Sequence, residues 1–226
     1  MAKFAKIIHQ NNEFFLIEKF IRLFKAKITK NKKKRFSFVM SGGTSPIKLY
    51  KSLAKNKFIN WKKIDFFIGD ERFVKESSKN SNINMCKKYL LNNINISKNQ
   101  IYNISTSKKS LTECCHDYEN KIKKYFINKK VSFDLVLLGL GSDGHIASLF
   151  KKNIQEKNTK NVNFVKKKDF KRITLTLKCL NRSNSIFLWA PGKPKKFIVK
   201  KILQDKNYKY PVSFLRKKNN FLIYSN

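Results

Sequence analysis

The sequence predicts an α/β fold, an open and mostly parallel sheet with helices on both faces, and three stretches carry that expectation. Leu135 to Leu138 is a continuous apolar run, the pattern of a strand buried on both sides, and it ends in the glycine-rich turn Gly139-Leu140-Gly141-Ser142-Asp143-Gly144. Phe36 to Met40 is a second such run, passing straight into Ser41-Gly42-Gly43-Thr44-Ser45-Pro46 and then an amphipathic segment. Ile64 to Gly69 is a third and ends in Asp70-Glu71-Arg72. A chain of 226 residues with no long Pro/Gly/Ser linker suits one domain, 1–226, with room for a substantial core.

Taken in order, Phe4 to Ile8 reads as a short strand. Asn12 to Lys30 carries Phe15, Ile17, Phe20, Ile21 and Phe24 at helical spacing. After the strand at Phe36 and its loop, Ile47, Leu49, Tyr50 and Leu53 mark a helix. A further helix starts at Ser81 or Asn82, either a fitting cap, and runs to about Leu91. Ile101 to Ile104 is a strand candidate, and Leu111 to Ile127 is helical through Tyr118, Ile122, Tyr125 and Phe126. Beyond the central turn, Ile146, Leu149 and Phe150 resume a helical spacing from His145. Lys151 to Lys168 is polar apart from Val162 to Val165, a strand or loop. Arg172 to Leu177 alternates as a strand should, and Ser185 to Ala190 is another. Pro191-Gly192-Lys193-Pro194-Lys195-Lys196 leads to a helix over Phe197 to Leu203, and Pro211 to Leu215 with Phe221 to Tyr224 read as edge pieces.

Hydrophobic residues make up 41% of the chain, which excludes a disordered protein despite a formal net charge of +37. That charge would ordinarily suggest nucleic acid. Only six of the 51 basic residues are Arg, however, and the lysines are scattered over every segment rather than gathered on one element. Weak, sequence-blind polyanion binding is expected, without specific nucleic-acid recognition. Cys86, Cys114, Cys115 and Cys179 form no CxxC pair, so reduced structural thiols are expected and no metal. The first ten residues lack the apolar core of a secretory signal and no run reaches membrane-spanning length, so the expectation is a cytoplasmic protein without membrane contact.

Two loops offer chemistry. Gly42 and Gly43 expose amides ahead of a helix, with hydroxyls at Ser41 and Thr44, which makes an oxyanion cradle; the GxxxxGK spacing of a Walker loop is absent. In the central turn, Gly139-x-Gly141-x-x-Gly144 matches the dinucleotide fingerprint in spacing, with Asp169 as a loosely placed acidic partner for a ribose. The turn also holds Asp143 two residues from His145, an arrangement for proton transfer in which a carboxylate orients an imidazole. Asp70 and Arg72 end a strand where open α/β sheets bind ligands. Arg172 stands at the start of a strand, and Lys195 at a helix start where an anion would relieve the conflict with the dipole.

These pieces together resemble the 6-phosphogluconolactonase family. The resemblance rests on Ser41 to Pro46 with Leu49-Tyr50, Gly69 to Val74, Ser81-Asn82, Phe133 through Phe150, Arg172 to Leu175, and Gly192 with Lys195. It runs in register from about Phe36 to Pro211, and Gly144-His145-Ile146-Ala147-Ser148-Leu149-Phe150 is its specific part. It implies a Rossmann-like fold and hydrolysis of 6-phosphoglucono-δ-lactone to 6-phosphogluconate in the oxidative pentose phosphate pathway, without cofactor or metal. His145 would then activate water, supported by Asp143 or Asp70. The sugar phosphate would rest on Ser41, Gly42, Gly43 and Thr44, with Arg72, Arg172 and Lys195 as cationic partners. The glucosamine-6-phosphate deaminase and sugar-phosphate isomerase relatives, the alternative reading, share the glycine loop and a Gly-His turn. A monomer or weak homodimer is expected. The chain departs from the family pattern at Lys151, where Pro is common, and over Phe221 to Tyr224, where Trp and Asp are common.

Overall fold

A computed structural model describes residues 4–127, 130–154, 159–204, 210–216 and 220–226. Its elements are β1 (Lys6–Gln10), α1 (Glu13–Lys30), β2 (Phe36–Met40), α2 (Ile47–Ala54), β3 (Ile64–Ile68), β4 (Asp70–Arg72), α3 (Asn82–Tyr89), β5 (Ile101–Tyr102), α4 (Leu111–Tyr125), β6 (Leu135–Gly139), β7 (Val162–Lys166), β8 (Lys171–Leu175), α5 (Leu177–Asn181), β9 (Ile186–Ala190), α6 (Lys193–Gln204) and β10 (Asn220–Ser225).

Seven strands form one sheet in the order β1-β10-β9-β6-β2-β3-β5, and every neighbouring pair in it is parallel. All residues of β2, β3 and β9 are buried, as both faces of a helix-covered sheet require. The chain leaves β2 for β3 and β5 on one side and returns to β6 on the other. The loops after β2 and β6 therefore diverge at their carboxyl ends, which opens a crevice there. A second, antiparallel sheet, β4-β8-β7, is joined to the first where Leu175 N–H donates to the Gly69 carbonyl at 2.9 Å.

Helix α1 shows how local signals become packing. Asn12 caps it, its side chain accepting from Phe15 N–H at 3.1 Å. Phe20 then lies edge-on to Phe187 at 5.5 Å and Trp189 at 5.6 Å, while Phe24 meets Phe38 at 4.9 Å. Each fully buried ring contributes roughly 2–3 kcal/mol. The buried stripe is Leu16, Ile17, Phe20 and Phe24; Phe15, expected on it, is half exposed.

Four expectations are corrected. No helix follows the central turn: Ala147 adopts φ 47, Ile146 and Leu149 bridge each other, and only a short 3-10 turn at Lys151–Asn153 follows. The apolar spacing there serves a folded-back loop, and without a helix N-terminus the dinucleotide reading of Gly139 to Gly144 loses its phosphate site. β10 is no edge strand, because it pairs with β9 on one side and β1 on the other. Pro211–Phe214 is a 3-10 turn rather than an extended piece. The strand begun at Arg172 ends at Leu175, where Thr176 caps α5 by accepting from Cys179 N–H. All four cysteines are free thiols, three of them buried. No described helix is long and apolar enough to cross a membrane.

Candidate active site

The crevice between β2 and β6 is a cavity of about 300 Å³. Ser41, Gly42, Gly43 and Thr44 line it from the β2 loop, Asp70 and Arg72 from β4, His145 from the β6 loop, and Lys195 from the first turn of α6. The two loops are tied together, since Gly139 N–H donates to Ser41 Oγ at 3.0 Å. Ser41 is thus occupied as a brace, and its carbonyl accepts from the buried Tyr50 hydroxyl at 2.7 Å.

Glycine is required twice in this crevice. A Cβ on Gly42 would lie 2.0 Å from the side chain of Asn82, and one on Gly141 would lie 2.1 Å from the His145 ring. Gly43, at φ +77, faces open space, so a ligand can approach its backbone. Pro46 caps α2 with no side-chain hydrogen bond, which leaves the amide end of that helix available beside Gly43 and Thr44.

On the β6 side, His145 Nδ1 and Asp143 Oδ1 are 2.5 Å apart, and His145 N–H also donates to Asp143 Oδ1 at 3.2 Å. Partial burial pushes the Asp143 carboxyl up, but the hydrogen bonds and charge of His145 outweigh it and hold the group below its ordinary value. With Nδ1–H committed to the carboxylate, Nε2 is the free basic nitrogen of the ring. The Phe150 ring packs against the imidazole at 4.6 Å. Lys195 is half-buried; burial lowers its pKa, and the nearby charge of Asp143 opposes that shift.

The β4 segment divides its three side chains between tasks. Asp70 accepts from Ser148 Oγ at 2.7 Å. Arg72 Nη1 donates to the Asn80 carbonyl at 2.8 Å. Glu71, buried between them, accepts from Arg72, Asn82 and Ile83 N–H at 2.7–2.8 Å and from Ser81 Oγ at 3.1 Å, and so holds the start of α3. Burial pushes its carboxyl up to about 6, against the pull of those amides.

One cavity thus receives the glycine cradle, the cation at Arg72 and the oriented imidazole, and comparison with known proteins agrees with that assembly. Residues 13–224 match the family described as glucosamine-6-phosphate isomerases/6-phosphogluconolactonase. The chain belongs to this family. The 6-phosphogluconolactonase of Thermotoga maritima is 34% identical over 195 residues, 84% of each chain. That of Synechocystis is 31% identical over 213 residues, 91% of this chain and 88% of the relative. The crystal structure of the Thermotoga maritima lactonase superposes with a TM-score of 0.84 at 29% identity, covering 97% of this chain and 99% of the other. The Trypanosoma cruzi lactonase gives 0.85 at 27% identity over 99% and 96%.

Of the residues that the resemblance to this family singled out, two are outside the cavity lining: Asp143, which is bonded to the lining residue His145, and Arg172. Arg172 pairs with Arg72 across β4 and β8, but its guanidinium is gripped by Asp169 through bonds of 2.8 and 2.6 Å, between the rings of Phe150 and Phe170. Two residues that sequence reasoning gave no site role are in contact with the machinery. Asn82 lines the cavity and donates from Nδ2 to the Asp70 carbonyl at 2.7 Å, and Ser148 holds the Asp70 carboxylate. Both stand in segments that the sequence marked, Ser81-Asn82 as a helix cap and Ala147-Ser148 as family pattern. Among the described residues, no group of three or more His, Cys, Asp or Glu side chains could hold a metal ion.

Proposed function

We propose that this chain hydrolyses 6-phosphoglucono-δ-lactone to 6-phosphogluconate, the second step of the oxidative pentose phosphate pathway, as a cytoplasmic monomer or weak homodimer with no metal or cofactor. The observation that carries the reading is the shared cavity: the cradle at Gly42, Gly43 and Thr44 lines the same crevice as His145, whose Nδ1 is 2.5 Å from Asp143 Oδ1. A sugar phosphate entering it sets its phosphate on the amides beside α2, with the Arg72 guanidinium as a cation. The lactone carbonyl then lies toward the β6 loop. His145, its Nδ1–H donated to Asp143, takes a proton from water through Nε2 as that water attacks the carbonyl. Asp143 keeps the imidazole in the required tautomer and stabilises the imidazolium that forms. Lys195, in the field of Asp143, supplies positive charge to the oxyanion, and the imidazolium returns its proton to the ring oxygen as the ester bond breaks. A lactone is an activated ester, so no nucleophilic side chain is needed.

The test follows lactone disappearance by a coupled assay in the presence of EDTA, against spontaneous hydrolysis. Acceleration that survives EDTA supports the proposal. Ammonia release from glucosamine 6-phosphate, with no acceleration of lactone loss, would replace it by the deaminase reading.

A further inference from the structure

A second cleft, of about 590 Å³, adjoins the first. The two share Gly43, Thr44, Arg72 and Asn82, so the proposed phosphate grip is a junction between them rather than the end of one pocket. Beyond the junction the second cleft is lined by Lys79 and Lys88, and no acidic side chain among the described residues lines it. The first cavity differs in this respect, because Asp70 lines it. Neither lysine has an ion-pair partner among the described residues. The Lys88 ammonium stands 5.3 Å from the ring centre of Tyr89, which also lines the cleft and has Lys51 at 5.2 Å.

A single phosphate on Gly43, Thr44 and Arg72 uses one side of this junction and leaves two uncompensated ammonium groups on the other. An anion with a second phosphoryl group directly attached would reach both sides, and each added charge-assisted contact strengthens binding. We propose that the second cleft is a subsite for a diphosphate group, either inorganic pyrophosphate or the diphosphate of a nucleotide, with one phosphoryl on the Gly43–Thr44–Arg72 junction and the next among Lys79 and Lys88. The inference rests on the reading of that junction as a phosphate grip. A diphosphate seated there occupies the substrate's phosphate position and so competes with the lactone.

Calorimetric titration of the whole chain with phosphate, pyrophosphate and ADP tests this without relying on activity. Pyrophosphate or ADP should bind at least about tenfold more tightly than phosphate. The double variant Lys79→Ala/Lys88→Ala should reduce that advantage to about twofold with phosphate affinity unchanged, whereas Lys108→Ala/Lys109→Ala, two exposed lysines that line neither cleft, should keep it. ADP equal to pyrophosphate identifies a nucleotide diphosphate as the ligand, and ADP weaker than pyrophosphate identifies the free anion. Equal affinities for all three anions overturn the subsite, as does an advantage that survives in the cleft variant or falls equally in both variants. Lactone turnover, measured separately, tells failure of the subsite from failure of the lactonase reading.

Discussion

The two ends of the parallel sheet use the same residue types for opposite purposes. At the amino end Asp134 is 6% exposed and accepts from Lys33 Nζ at 2.7 Å, Ser37 N–H and Oγ at 2.9 Å each, and Asn184 Nδ2 at 3.1 Å. Arg35 in turn embraces the buried Asp65, which also accepts from the Tyr125 hydroxyl at 3.0 Å. These carboxylates are saturated with partners and serve the fold. At the carboxyl end the Asp143 side chain is 58% exposed and its one side-chain partner among the described residues is His145, itself at the cavity. An acid beside a base is therefore structural or chemical according to the end of the strand that carries it and the hydrogen bonds left unclaimed.

Substitutions at the two ends can break that contrast. The largest effect is expected for His145→Ala, which should lower kcat by roughly 10²–10⁴-fold, since a positioned general base supplies about that factor. Its thermal midpoint should stay near that of the parent, because the ring is partly exposed. A variant with unchanged kcat would remove His145 from the chemistry. Asp134→Ala should do the reverse. Stranding the two buried donors of Ser37 and the Lys33 ammonium costs about 3 kcal/mol of stability in denaturant unfolding, while kcat per folded molecule changes less than about twofold. A loss of kcat without a loss of stability would erase the distinction between the ends.

Gly42→Ala sharpens the account of the cradle. Its new methyl would press on Asn82, which holds the Asp70 carbonyl, so a loss of about 1–3 kcal/mol and a raised KM are expected together. Steady-state kinetics beside thermal melts reads both. The smallest effect concerns pH. The Asp143 carboxyl lies below its ordinary value because of His145, so the stability it contributes is present above about pH 4 and is lost as pH falls through the folded-state pKa. Solvent screening at this exposed position keeps the contribution small. Melting curves from pH 5 to pH 2 should fall slightly more steeply for the parent than for Asp143→Asn, and parallel curves would show that the pair adds nothing to stability.

Much of the site was legible because its residues cluster at sequence boundaries that physics also marks. A buried apolar run followed at once by Gly42-Gly43, by Asp70-Glu71-Arg72 or by Gly141 to His145 places polar groups at the carboxyl end of a parallel strand. What escaped was set by distant partners. Nothing local tells that β10 is flanked by β1 from the other end of the chain, or that Ile146 would bridge to Leu149 with Ala147 at positive φ instead of entering a helix. Arg172 looked like a site cation because its clamp by Asp169 depends on how the β7–β8 turn folds. Asn82 was hidden by its ordinary role next to a helix cap, and only the 2.0 Å gap above Gly42 shows why the cradle needs it.

The most direct test is a crystal structure with 6-phosphogluconate bound. The phosphate should lie within hydrogen-bonding distance of the Gly43 and Thr44 amides and the Arg72 guanidinium, while the carboxylate of the same molecule meets His145. A product whose two ends do not reach both loops, or that binds elsewhere on the chain, would contradict the account.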